Sequence, residues 1–191
     1  MRIFISVALF FMIAVADASP LTAAQIERHL FKARADSPSY KDVPGDLTRS
    51  LSFTALWQKP EQVIPHARSM LLSPKLTVDD KLILVLALQN ARWQELFGLY
   101  EWAFDCYLNE KLSSKIVEKL IFPDWDWNTR LFLRYEDSDV QKLLIRIQES
   151  KFIREQQFLG KYIPDILSGK IADGIKQARR DGDLLDRNRK D

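Results

Sequence analysis

Apolar residues along the chain recur at the three- and four-residue spacing of a helix face, and the helix breakers fall between the periodic stretches. Thr22-x-x-Gln25 has the form of a capping box and predicts a helix from about 22 to 34, with Ile26, Leu30 and Ala33 on one face. Residues 35 to 46 hold Pro38, Pro44 and Gly45 and read as a loop. Asp46 is placed to cap a second helix through about 57. Pro60 sits where a third begins, ahead of Val63, Ile64, Ala67, Met70 and Leu71, and Pro74 separates that helix from the next.

The centre of the chain is the greasiest part. Thr77-x-x-Asp80 supplies a cap with a carboxylate near the helix N-terminus, and 82 to 88 is an unbroken apolar run, so this helix is predicted to be buried on nearly all sides. After Gln89 and Asn90 comes a long helix with Trp93, Leu96, Phe97, Tyr100, Ala103, Phe104 and Tyr107 in one stripe and Leu99, Trp102 and Cys106 in an adjoining one. Gln94, Gly98, Glu101, Asp105 and Asn109 are left to face water. So short a connection predicts that these two helices pair as an antiparallel hairpin, with the core around 82 to 107.

Further helical elements follow: Ile116, Val117, Leu120 and Ile121, a turn at Pro123 and Asp124, and a short segment from about 127 to 133. Ser138-x-x-Gln141 opens another helix with Val140, Leu143, Leu144 and Ile147 buried. The next segment offers Phe158, Leu159, Tyr162 and Ile163 before Pro164 bends or ends it, and a last helix from about 166 to 178 is weakened by Gly169 and Gly174. The fold class is all-α. Short helices joined by short loops suit stacked antiparallel hairpins of the HEAT-like α-solenoid kind, while the lack of a self-similar period leaves an irregular helical bundle open.

The ends change the picture of compartment. Arg2, an apolar stretch from 3 to 16 and the small-x-small site Ala16-Asp17-Ala18 read as a cleavable signal peptide over residues 1–18, too short to cross a bilayer as an anchor. Residues 19–178 then form a single domain and 179–191 a charged tail, the mature protein being expected in the periplasm and free of the membrane. With Cys106 the single cysteine, no internal disulfide can form. The balance of 28 basic against 26 acidic residues, with acids interleaved among the C-terminal Arg and Lys, gives no nucleic-acid footprint.

Catalytic constellations are hard to find. His29 and His66 belong to no metal motif, no G-x-S-x-G occurs, and scattered glycines build no phosphate cradle, so no cofactor or metal is expected and the chain reads as a non-enzyme. Glu95, Glu101 and Asp105 form a candidate acidic patch on the long helix. Residues Phe122-Pro123-Asp124-Trp125-Asp126-Trp127-Asn128 place two tryptophans among aspartates on a turn, the composition of a protein-binding hot spot; the alternative is that the rings cap the core and the acids cap a helix.

An exported, disulfide-free, all-helical domain of this kind resembles the small periplasmic immunity proteins that bacteria make against their own secreted toxins, including those with HEAT-like folds. The resemblance implies a cognate toxin as protein partner, inhibited by covering its active site, with Asp124, Trp125, Asp126, Trp127 and Asn128, and then Glu95, Glu101 and Asp105, as the surfaces in contact. Two other readings stay open: a carboxylate-based cell-wall hydrolase with Glu101 or Glu95 as acid and an aspartate as its partner, and an envelope assembly factor.

Overall fold

The computed structural model describes residues 20–39, 44–123, 130–170, 173–174 and 176–177. The expected signal (1–18), the tail (179–191) and the acidic-aromatic residues 124–128 lie outside the described residues. Helix α1 spans Ala23–Asp36, opened by the capping box of Thr22 and Gln25. A 3-10 segment, Pro44–Arg49, precedes α2, Leu51–Trp57. The cap of α2 is Ser50, whose hydroxyl accepts from the Phe53 N–H, and not Asp46, which lies within the 3-10 turn. Pro60 does open α3, Pro60–Leu72. Thr77 and Asp80 cap α4, Val78–Leu88, reciprocally, and α5 follows at Trp93–Leu108.

Helix α6 covers Ser114–Ile121, and a 3-10 turn, Phe132–Arg134, leads to α7, Ser138–Glu149. Asp137 caps α7 by accepting from the Asp139 and Val140 N–H groups, so the start lies one residue earlier than the Ser138 spacing implies. A single turn, α8 (Phe152–Glu155), leads into α9, Gln157–Leu167, which passes through Pro164 unbroken. The helix expected to begin near Ile166 does not start there. Gly169 takes a φ of +74°, a conformation glycine adopts without penalty, and Lys170 N–H donates back to Asp165 O at 3.0 Å, ending α9 as a Schellman motif. No strand occurs among the described residues.

The helices form hairpins α1/α2, α3/α4, α5/α6 and α7/α9, stacked so that like members neighbour one another. In one layer, Asn90 Nδ2 donates to Trp57 O at 3.1 Å and Gln89 Nε2 to Leu120 O at 3.2 Å, which brings the C-terminal ends of α2, α4 and α6 together and makes these helices parallel. In the other layer, Leu21 N–H donates to Gln62 Oε1 at 3.1 Å, and Arg68 Nη2 donates to Gly98 O at 3.1 Å, joining α1 to α3 and α3 to α5. The architecture is thus all-α stacked hairpins with repeats of unequal length. The pairing expected of α4 and α5 is replaced: α4 packs on α1, α2, α3 and α6, and α5 packs on α3 and α6. The 89–92 connection steps from one hairpin to the next, because α4 is apolar on too many sides to be satisfied by a single partner.

Leu84, Val85, Ala87 and Leu88 in α4 are fully buried, within one cluster that runs from Ile26 to Ile166. The charged exception among the described residues is Asp80, fully buried. Its Oδ2 accepts from Thr77 N–H at 2.9 Å, from Thr77 Oγ1 at 2.6 Å and from Arg34 Nη1 of α1 at 2.8 Å, so one carboxylate caps α4 and locks α1 across it. Arg34→Met leaves that buried charge without its counter-ion. The expected cost is about 3 kcal/mol, at the low end for removing one member of a buried pair because the guanidinium is partly exposed. Urea unfolding measures it, and an unchanged midpoint would show that the cap alone holds Asp80.

Candidate functional site

Because α2, α4 and α6 end together, the links between hairpins emerge along one edge of the stack. Ala91 O, in the 89–92 link, accepts from Arg130 Nη1 at 2.6 Å, which ties the 122–137 link to its neighbour. Arg134 lies over the Trp93 ring at 5.0 Å. Between the first two links a shallow cleft of about 240 Å³ is lined by Gln58, Pro60, Glu61, Asn90, Arg92 and Glu95. That volume falls below the roughly 300–1,000 Å³ of small-molecule sites and suits a single inserted side chain. Glu95 is half-buried, and its Oε2 is closed off from solvent without a hydrogen-bond partner among the described residues. Glu61 and Arg92 are exposed. The cleft therefore offers carboxylate acceptors and amide groups to an incoming donor, with one basic group at its rim.

Tyr100 stands behind this edge, fully buried, with Trp93 edge-on to its ring at 6.1 Å and its hydroxyl unpartnered among the described residues. Burial pushes its phenol far up, with Arg130 pulling weakly the other way. It is a packing group and supplies no proton near neutral pH.

The other two acids of the expected patch lie elsewhere. Glu101 is roughly 120° around α5 from Glu95, since six residues at about 100° each overshoot one turn and a half. Glu101 and Asp105 face α7. Asp105 pairs with Arg146, and Glu110 pairs with Lys151 at 3.3 Å, both across a separation of 41 residues. Lys142, held above its usual range chiefly by its hydrogen bond and ion pair with Asp139, also lies in the field of Glu101. With Lys142 and Glu101 again 41 apart, α5 and α7 run parallel and in register. The structure thus keeps Glu95 at the linking edge and gives Glu101 and Asp105 an internal electrostatic role.

Gln58, Glu61, Asn90 and Arg92 are the residues that sequence reasoning passed over. Pro60 and Glu61 read as a helix start and Asn90 as a turn. Only the parallel stacking of α2 and α4 brings them together.

Among the described residues no cluster of His, Cys, Asp and Glu is arranged to hold a metal ion. His66 Nε2 lies 3.1 Å from Leu21 O, and His29 is held below the usual imidazole range by burial and then by Lys32 and Arg28. Cys106 is buried, and burial pushes its thiol up. Beside it, Tyr107 Oη donates to Glu155 Oε1 at 2.8 Å, and burial together with that bond pushes Tyr107 up to about 12. Comparison with family models, with curated proteins and with solved structures finds no match.

Two outcomes follow from these groups. Cys106 is expected to react with a thiol reagent at pH 8 at least about a hundredfold more slowly in the folded protein than in urea; a rate near the unfolded value would place the thiol at the surface. Tyr107 keeps its proton to higher pH folded than unfolded, where it titrates near 10. The folded state binds more protons between those values, so its stability is present below pH 10 and is lost as pH rises towards 12. Melting of wild type against Tyr107→Phe across pH 9 to 12 isolates this, the substituted chain being expected to show the shallower decline.

Proposed function

We propose that the chain is an exported protein-binding module, and that it acts as a periplasmic immunity protein neutralising a cognate secreted toxin. The observation that carries binding is the linking edge. Its cleft has room for one side chain, is lined by Glu61 and by Glu95, and adjoins the 89–92 link to which Arg130 is tied; Trp125 and Trp127, among Asp124, Asp126 and Asn128, precede Arg130 in sequence. Carboxylates at a shallow site complement an Arg or Lys of a partner, and tryptophan offers large contact area at low entropy cost. The choice of a toxin as partner rests on the resemblance in architecture and on the export signal read in residues 1–18.

A carboxylate-based hydrolase needs two acids free to act on opposite sides of one bond. Asp105 is paired with Arg146, and Glu101 lies a third of a turn away from Glu95, which makes this the weaker reading. No helix among the described residues is long and apolar enough to cross a membrane.

Co-expression with the toxin encoded beside the gene is expected to rescue growth, and the purified pair to form a complex. Glu95→Arg and Trp125→Ala are each expected to weaken that complex by roughly thirtyfold or more, the loss of a hot-spot residue. Calorimetry of the folded variants reads the change. Full rescue and unaltered affinity in both variants would move the interface away from this edge, and absent rescue by a correctly exported chain would end the immunity reading.

A further inference from the structure

The last hairpin joins the stack in a different way from the others. In the first three hairpins, neighbouring helices approach backbone to backbone: α1, α2 and α3 on α4, α3 on α5, and α4 on α6. Helices α7, α8 and α9 make their extensive close contacts among themselves. Side chains hold them to α5, among them Tyr107, whose Oη donates to Glu155 Oε1 at 2.8 Å. The ion pairs Asp105–Arg146 and Glu110–Lys151, together with Lys142 in the field of Glu101, form a ladder along the seam. Beneath it Phe152 stands edge-on to Phe104 at 6.1 Å and to Tyr107 at 5.1 Å.

All the charged members of the two ion pairs are well exposed, from 41% for Lys151 to 82% for Glu110. Exposed pairs are screened by salt, as the Debye length falls from roughly 30 Å at 0.01 M to roughly 3 Å at 1 M, whereas the apolar contacts that hold the first three hairpins are not weakened by it. We infer that α7, α8 and α9 form a clasped unit that swings off α5 as one body, with ionic strength setting how often, while the first three hairpins stay folded. Opening uncovers the aromatic face of Phe104 and Tyr107 on α5 and of Phe152 on α8.

Backbone hydrogen exchange of the full chain, read by mass spectrometry at 0.01 M and 0.5 M NaCl, tests this. Amides of α7 and α9 are expected to exchange through a partial opening more populated than the one that exposes α4, and about tenfold more populated at the higher salt, as the combined loss of two weak ion pairs and the Lys142–Glu101 attraction implies. Amides of α4 should change by less than about twofold. The combined substitution Glu101→Gln, Asp105→Asn and Glu110→Gln should reproduce the high-salt pattern at low salt, and the exchanged pair Asp105→Arg with Arg146→Asp should keep the wild-type response. Exchange of α7 and α9 only in step with α4, or no salt dependence in wild type, overturns the inference. The wild-type salt series decides the matter alone if the triply substituted chain does not fold.

Discussion

Helix α4 is 11 residues long and has apolar side chains around most of its circumference, and this sets the conditions for the rest of the molecule. A helix of three turns gains little stability from its own hydrogen bonds and relies on burial by neighbours. One partner covers one stripe, so a helix that is apolar nearly all round needs several. Helices α1, α2, α3 and α6 supply them, and their own apolar faces are oriented by that demand. The hairpins stack because none of them buries its greasy side alone.

The buried ion pair at Asp80 belongs to the same constraint. A charge placed in such a core is costly unless its oxygens are satisfied, and one oxygen is met from two directions: the N–H and hydroxyl of Thr77 at the start of α4 and the guanidinium of Arg34. The other oxygen, Oδ1, has no hydrogen-bond partner among the described residues. Apolar packing would tolerate small slides of α1 over α4, whereas a fixed carboxylate holding both sides does not. Asp80 therefore selects the position of α1 more than it adds to the total stability.

Much of the local structure was legible in the sequence and the pairing of helices was not, and the difference is physical. Thr22 with Gln25, Thr77 with Asp80 and Pro60 act within one turn of themselves, so their spacing carries the whole signal. Ser50 was overlooked because Asp46 offers the same chemistry four residues earlier; what decides between them is that Pro44 and Gly45 begin a 3-10 turn that consumes Asp46. The link after α4 is as short as a hairpin turn and gives no local sign that it leads to another hairpin. Glu101 and Asp105 have the polar pattern of a solvated stripe, and their partners lie 41 residues further on, beyond any periodic reading. Of the acids at the linking edge, Glu95 reads in sequence as part of the α5 patch and Glu61 only as a helix start, and the two meet because α3 and α5 start at the same end of the stack.

That common starting point gathers the links between the hairpins along one edge. In parallel hairpins the links return to one edge, and here they also give residues to the core, Ala91 from one and Phe122, Leu131 and Phe132 from the next. The groups that could drive bond-making are suppressed: Cys106 and Tyr107 by burial, Tyr100 by an apolar setting, Asp105 by Arg146. Glu95 differs from them. It lines the cleft half-buried, with one oxygen closed off from solvent and without a hydrogen-bond partner among the described residues.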